Sequence, residues 1–160
     1  MRRILFYIFI MWILPVPSYG RTLPPGLAFA YSSLTEAWER LDGVGVMGLF
    51  APDAQLMDGR GQLLERSDIE KTVFSALDAS RSCQISYKVL SWTEKNGIIV
   101  VRSHQERNID YGEKRIVRIS EREDSWRKSE EGWRIVYVRF LTQTATIDMK
   151  MERAGNPGHD

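Results

Sequence analysis

The second half of the chain constrains the fold most, because it predicts four long β-strands joined by tight turns. Asn96-Gly97 is the strongest short-range signal for a hairpin, and residues 129–132 predict a second, four-residue loop. Each predicted strand has about ten residues or more, against ~5–6 for an ordinary strand, so we expect a strongly twisted, curved antiparallel sheet. The four predicted strands are residues 83–92, 98–107, 114–127 and 133–142.

Three helices are predicted before these strands. The first has apolar residues at alternating steps of four and three, as one face of an amphipathic helix does: Leu27, Tyr31, Leu34, Trp38 and Leu41. A shorter helix over residues 46–50 stops before Pro52. Ser67 and Glu70 form a capping box that predicts the start of a third helix. Helices on one side of a curved sheet enclose a cone-shaped cavity, so this order of elements predicts an α+β fold.

Residues 1–20 predict a cleavable signal peptide. Two arginines precede eleven apolar residues, and small residues lie at both positions of a cleavage site before Arg21. The alternative, an uncleaved membrane anchor, would need roughly 20 apolar residues to span a bilayer. We therefore expect a secreted or periplasmic protein without stable membrane insertion. Residues 21–26 are expected to be a linker, residues 27–143 one domain, and residues 144–160 a flexible C-terminal tail.

The composition of the processed chain argues against several kinds of partner. Removing residues 1–20 from the 160 leaves 140 residues, of which 20 are basic and 21 acidic, and this near-neutral charge argues against nucleic acid as a partner. Cys83 is the only cysteine, so no intrachain disulfide is expected. His104 and His159 have no second ligand at zinc-like spacing, so we expect no metal ion. No organic cofactor is implied either.

Asp58 is the first candidate catalytic residue. It ends a short strand, residues 55–58, that pairs with residues 62–65 around a glycine-flanked turn. A carboxylate that is partly desolvated at a cavity rim has its pKa raised toward working pH and suits a general base. The alternative is a turn aspartate, which accepts backbone N–H bonds and needs no cavity.

The last hairpin supplies a second candidate acid, Asp124, and most of the candidate ligand-binding residues. Direct pairing across its turn sets Lys128 opposite Trp133. Counting back pairs three further residues of each strand: Trp126 with Ile135, Asp124 with Tyr137, and Arg122 with Arg139. These six side chains share one face, which either lines the cavity, with arginines that attract an anionic ligand, or forms a solvated salt-bridge ladder. A one-residue slip would exchange the two faces of the sheet.

Tyr31, Trp38 and His104 complete the set of candidate ligand-binding residues. Tyr31 and Trp38 share one face of the first helix, which either packs as core or lines the cavity. His104 lies in mid-strand, where its ordinary pKa suits acid–base chemistry, although such a histidine is also common on a polar surface.

The opposite face of the last hairpin is apolar as well, and this predicts a partner subunit. It carries Val117, Ile119, Val136, Val138 and Phe140. Because the helices can cover only one face of the sheet, a second subunit is the simplest cover for the other. We therefore predict a homodimer through this face.

Two segments resemble the nuclear transport factor 2-like superfamily, in its SnoaL-like and ketosteroid-isomerase-like branches. They are Gly48-Leu-Phe-Ala-Pro-Asp-Ala with Asp58 downstream, and the last hairpin with Asp124-Ser-Trp-Arg-Lys and Gly132-Trp-Arg-Ile-Val. The resemblance covers residues 27–143. It implies a cone-shaped fold in which three N-terminal helices pack on a strongly curved antiparallel sheet. Members include isomerases, dehydratases and non-catalytic binding or assembly domains, so the fold alone does not determine the activity.

The resemblance also implies roles for individual residues. Against ketosteroid isomerases, Asp58 falls at the general base and Asp124 at a protonated acid that donates to an oxyanion. The tyrosine that these enzymes use as second oxyanion donor would fall at Leu34, which cannot donate. Tyr31 lies one turn earlier on the same helix face.

Three functions remain open on the sequence alone. The first is an exported domain that binds a small organic ligand without catalysis. The second is an isomerase or dehydratase-type enzyme with Asp58 as base and Asp124 as oxyanion-stabilising acid. The third is a non-catalytic dimeric assembly module. A packed interior favours the assembly module, an open cavity with both aspartates pointing in favours the enzyme, and an open cavity without convergent acids favours binding.

Overall fold

A computed structural model of the protein describes residues 22–149. The signal peptide predicted at residues 1–20 and the last part of the predicted tail, residues 150–160, lie outside the described residues. Between residues 22 and 149, no helix is both long and apolar enough to cross a membrane.

The order of elements is the predicted one, with helices and two short strands before four long strands. The helices of the described part are α1 (Pro25–Glu39), α2 (Gly43–Gly48) and α3 (Arg66–Asp78). The strands are β1 (Phe50–Met57), β2 (Leu63–Glu65), β3 (Ser82–Lys95), β4 (Ile98–Asp110), β5 (Lys114–Ser129) and β6 (Gly132–Met149). The predicted α+β class is therefore confirmed.

All six of these strands belong to one curved sheet, in the order β2-β1-β6-β5-β4-β3. β1 runs parallel to β6 and every other neighbouring pair is antiparallel, so the sheet is mixed rather than wholly antiparallel. Asn96 and Gly97 join β3 to β4 with φ of 52° and 75°, the left-handed conformation that this hairpin turn requires.

The helices cover one face of the sheet, which we call the inner face. α1 packs on β3 and β6, and α3 packs on β1 and β2. The apolar face predicted for α1 is buried here at Leu27, Tyr31, Leu34 and Trp38. On β5 the inner face carries every second residue, namely Ile116, Arg118, Ser120, Arg122, Asp124 and Trp126. The opposite side, where Ile119 lies 41% exposed, is the outer face.

The first and third helices begin at residues other than those predicted. α1 begins at Pro25, inside the predicted linker, because a proline at the first helical position has a suitable φ and lacks only an N–H that would be unpaired there. α3 begins at Arg66 after Glu65, without a side-chain cap, so the capping box predicted at Ser67 and Glu70 is wrong.

The predicted second helix also ends too late. α2 stops at Gly48, and Phe50 already begins β1, because it pairs with Ile135 and the Ile135 N–H donates to the Leu49 carbonyl at 2.8 Å. Pro52 consequently lies inside a strand. It falls where the pairing of β1 with β6 is interrupted, so its missing N–H removes no hydrogen bond from the sheet.

The C-terminal boundary of the domain lies beyond the predicted residue 143. β6 continues to Met149, which is opposite Lys114 of β5, so residues 144–149 belong to the sheet and not to a tail. These six residues are all exposed. They do alternate between polar and apolar types, from Thr144 to Met149, so the signal for a strand was present and the predicted boundary stopped short of it.

A β-bulge in the last hairpin overturns part of the predicted register. Lys128 opposite Trp133 and Trp126 opposite Ile135 are confirmed. Val136 is then an extra, unpaired residue, which shifts the pairs from Tyr137 to Phe140 by one position, and Leu141 is a second extra residue that shifts the later pairs by one more. Beyond Val136, Asp124 lies opposite Val138 rather than Tyr137, and Arg122 lies opposite Phe140 rather than Arg139. The bulge at Val136 therefore places Val138 and Phe140 on the inner face, and Tyr137 and Arg139 on the outer face.

Candidate functional site

A cavity of about 510 Å³ lies between the helices and the inner face of the sheet. Its apolar lining comes from all three regions around it: Leu34 and Trp38 of α1, Ile69 and Val73 of α3, and Val138 and Phe140 of β6. α1 and α3 contribute apolar side chains to this lining because both helices are amphipathic and turn their apolar face toward the sheet. The interior is therefore open, and this disagrees with a fully packed assembly module.

The strand side of the cavity is polar and positively charged. Gln105 and Arg107 of β4 and Arg118, Ser120 and Arg122 of β5 all line it. They meet there because alternate residues of a strand point to the same face. Among the described residues that line this cavity, Asp58 is the one carboxylate, so arginine charge predominates.

Asp124 lies behind this wall in a buried hydrogen-bonded cluster and is not among the residues that line the cavity. The Tyr31 hydroxyl donates to Asp124 Oδ2 at 2.8 Å. Arg122 Nε donates to Asp124 Oδ1 at 2.7 Å, and Arg122 Nη2 makes a second contact with the same oxygen. Trp126 Nε1 donates to the Tyr31 hydroxyl at 3.1 Å, which completes the cluster.

This geometry does not suit the oxyanion-donor role that the resemblance implies for Asp124. Both of its oxygens accept hydrogen bonds, and an ion pair with a guanidinium requires the carboxylate form. Burial lowers the pKa of Arg122, but the negative charge of Asp124 raises it, and the result lies above the ordinary value of the guanidinium. Burial and the Asp124 charge also raise the pKa of Tyr31, so its proton stays on the hydroxyl and is directed at Asp124.

Asp58 lies at the mouth of the cavity, where its side chain is 19% exposed. Its Oδ1 accepts the backbone N–H groups of Arg60 at 2.9 Å and Gln62 at 2.8 Å, and its Oδ2 accepts Arg60 Nε at 3.2 Å. The Gln62 N–H, followed by Arg60, lowers the pKa of Asp58 from its ordinary 3.8. The expected rise in pKa is therefore wrong, and the alternative interpretation as a turn aspartate describes this geometry.

The direction of this pKa shift makes a prediction for stability. A carboxyl group whose pKa is lower in the folded chain stabilises it above the unfolded pKa, and this contribution is lost as the pH falls through the folded pKa. Wild-type protein should therefore lose more stability than Asp58→Asn when urea unfolding is followed from about pH 6 to pH 2. Arg60→Met keeps both backbone donors and should retain most of the wild-type dependence. If the free energy of unfolding fell equally with pH in wild type and Asp58→Asn, the lowered pKa of Asp58 would be contradicted.

The other predicted ligand-binding residues separate into two groups. Trp38 and Arg122 line the cavity, and Trp126 is completely buried beside Tyr31, with the two ring centroids 5.0 Å apart. His104, Tyr137 and Arg139 lie on the outer face and do not contribute to the cavity. The bulge at Val136 moves Tyr137 and Arg139 there. His104 is opposite Glu121 and one residue away from the inner-facing Gln105, so the prediction chose the wrong face of β4.

Several polar residues of this region were not predicted from the sequence, namely Tyr87, Gln105 and Arg107, together with Arg118 and Ser120 of β5. Tyr87 lies opposite Gln105 on neighbouring strands, and Arg107 follows two residues later on the same face. The Arg107 guanidinium carbon lies 3.9 Å from the centroid of the Trp38 ring, within the range of a cation–π contact. The sequence does not single out Gln105 and Arg107, because residues 102–108 of β4 are polar at every position and no alternation marks the inner face. No group of three potential metal ligands is found in the part of the chain that the structure describes.

Comparisons with known proteins establish the fold. No protein-family model and no curated protein matches the sequence. Among solved structures, a candidate scytalone dehydratase from Novosphingobium aromaticivorans superposes with a TM-score of 0.68 at 13% identity, over 76% of this chain and 84% of that one. A candidate dehydratase of the NTF2-like family from Streptomyces avermitilis gives 0.63 at 12% identity, over 72% and 91%. A conserved protein from Planctomyces limnophilus gives 0.66 at 11% identity, over 76% and 95%. The chain therefore has the fold of the nuclear transport factor 2-like proteins, as the resemblance predicts.

Proposed function

We propose that the protein binds a small, largely apolar organic molecule in this cavity and does not act on it chemically. The observation that carries the proposal is an open cavity of about 510 Å³ whose described lining contains a single carboxyl group, that of Asp58, and not a pair. Asp58 is held by a turn at the mouth, and Asp124 is paired with Arg122 behind the wall. The volume suits a small ligand, since pockets for such molecules measure ~300–1,000 Å³.

The enzyme alternative finds less support in the geometry. A general base works best when its pKa lies near the operating pH, and the pKa of Asp58 is shifted the other way. Leu34 lines the cavity where an oxyanion donor would be needed, and the Tyr31 hydroxyl is directed at Asp124 instead. The dehydratases among the similar structures have 12–13% identity to this chain, which is a likeness of fold and not of chemistry.

Closing the mouth of the cavity tests the binding proposal. Thr72 is an exposed residue of α3 that lines the mouth, so an indole side chain there should occupy the entrance. Thr72→Trp should weaken the binding of octan-1-ol, measured by titration calorimetry, about tenfold or more. Glu70→Trp, at another exposed position on α3 but outside the cavity lining, is the matched control and should bind as wild type does. No binding of octanol or octanoate to the wild type would contradict the proposal.

We further propose that the protein is exported and acts as a homodimer through the outer face. Export rests on the sequence of residues 1–20, and N-terminal sequencing of the exported protein should then begin at Arg21. Dimerisation is supported by exposed apolar side chains on the outer face, namely Ile119 at 41% and Leu63 at 47%. Light scattering at micromolar concentration should give the mass of two chains, and the mass of a single chain would contradict the dimer.

A further inference from the structure

Four buried polar atoms on the inner face of β3 and β4 have no hydrogen-bond partner within residues 22–149. One is Ser103 Oγ, and the other three belong to Gln105 and Arg107, which line the cavity, and to their neighbour Tyr87. These three atoms are Tyr87 Oη, Gln105 Nε2 and Arg107 Nε. The Gln105 side chain lies beside the Tyr87 hydroxyl but outside hydrogen-bonding geometry. Such unpaired groups are rare in folded proteins, and each calls for an explanation. All three lie on the same face of adjacent strands, so a single bound group can explain them together.

Each of these atoms is available as a donor. Ser120 Oγ donates to Gln105 Oε1 at 3.5 Å, and this contact leaves the amide nitrogen of Gln105 free to donate. Burial raises the pKa of Tyr87, so the hydroxyl keeps its proton. Arg107 Nε carries a proton at every physiological pH. The missing partner is therefore an acceptor.

The charges on the inner face indicate that this acceptor is an anion. Arg107 lies opposite Arg118, and Arg122 lies four residues further along β5. Arg122 is neutralised by Asp124, whereas the ion pairs of the described residues include neither Arg107 nor Arg118. Burial, and after it the charges of Arg122 and Arg118, lower the pKa of Arg107. A negative charge placed here would therefore stabilise the charged form of this buried guanidinium.

The position of Arg107 is fixed before any ligand binds. The Trp38 ring lies under its guanidinium at 3.9 Å, which leaves the edge of the guanidinium with its N–H groups for an oxygen acceptor. The apolar side chains of Leu34, Val73 and Phe140 line the same cavity and can receive a hydrocarbon group.

We propose that Tyr87, Gln105 and Arg107 form a head-group site for the carboxylate of a small apolar acid. Arg107 supplies the opposite charge, and Tyr87 and Gln105 donate hydrogen bonds to the carboxylate oxygens. The inference rests on the proposed binding function and names the chemical class of its ligand. It differs from the anion site expected from the sequence, since Asp124 already neutralises Arg122 and Arg139 lies on the outer face.

A matched pair of ligands tests the head-group site. Octanoate and octan-1-ol share their chain and differ in the charged group, and titration calorimetry at neutral pH gives the affinity of each. Charge-assisted hydrogen bonds should make octanoate bind about 10- to 100-fold more tightly. Arg107→Met should remove most of this preference for octanoate over octanol, and Gln105→Met should reduce the preference in part. Arg139→Met removes an arginine from the outer face and is the matched control.

A second measurement uses the unmodified protein, so it does not depend on the folding of a variant. The NMR resonance of the Arg107 Nε–H group should shift when octanoate is added and stay in place with octanol. Equal affinities for acid and alcohol, or an unmoved Arg107 resonance with octanoate bound, would overturn the head-group site and leave the binding function standing. Failure of both ligands to bind would overturn the binding function and the head-group site together.

Discussion

Replacing Asp124 by alanine is expected to lower the free energy of unfolding by about 3–5 kcal/mol. The Arg122 and Asp124 side chains are 5% and 0% exposed, so the substitution leaves a guanidinium charge in the interior without a counter-ion. It also removes the acceptor of the Tyr31 hydroxyl. Urea unfolding followed by circular dichroism measures the loss.

An exposed ion pair between β5 and β1 provides the control for this prediction. Arg127 Nη2 lies 2.9 Å from Asp53 Oδ1, and these side chains are 48% and 63% exposed. Asp53→Ala should therefore cost less than about 1 kcal/mol, because solvent already screens the pair. Equal losses for Asp124→Ala and Asp53→Ala would show that burial does not strengthen the Arg122–Asp124 pair.

The element order could be predicted because its signals are local. Asn96-Gly97 determines the turn between β3 and β4 through its two positive φ values. The spacing of apolar residues identified the face of α1 that meets the sheet, since a helix repeats over a few residues. On β5, alternation from Trp126 back to Arg122 gave the correct inner-facing set, for the same reason.

The predicted site failed where a distant contact determines the geometry. Nothing in the sequence distinguishes Val136 from its neighbours as a bulged residue. The bulge there nevertheless exchanges the faces of the sheet on which Tyr137 and Val138 lie. The pairing of Tyr31 with Asp124 joins residues 93 positions apart, which no periodicity along the chain reveals. The polar cluster behind the cavity therefore required the structure.

The error on β4 has a different cause, because the sequence does not distinguish the two faces of this strand. Residues 102–108 are polar at every position, so no alternation shows which side chains point inward. His104 was chosen because the ordinary pKa of histidine suits acid–base chemistry, and this choice selected the outer face. The structure shows that Gln105 and Ser103 are the buried polar residues of this strand.

Trp126→Ala is expected to lower the free energy of unfolding by about 3–5 kcal/mol, the range for removal of a fully buried large aromatic side chain. Trp126 is completely buried under the cavity wall, where it contacts the Tyr31 ring and donates to its hydroxyl. Trp133→Ala is the matched control, since Trp133 is only partly buried against the core and should cost less. A loss below about 1 kcal/mol for Trp126→Ala would mean that the surrounding side chains close the space it leaves.

Trp126→Phe separates packing from hydrogen bonding at the same position. Phenylalanine keeps an aromatic ring beside Tyr31 but removes the Nε1 donor, so the added cost of the lost hydrogen bond should be about 1 kcal/mol. The Tyr31 hydroxyl still donates to Asp124, and Arg122 remains paired. Because Trp126 lies outside the lining of the cavity, Trp126→Phe should bind octanoate within about threefold of wild type. A larger loss of affinity would mean that the buried cluster positions the cavity wall, and would extend the ligand site to Tyr31 and Asp124.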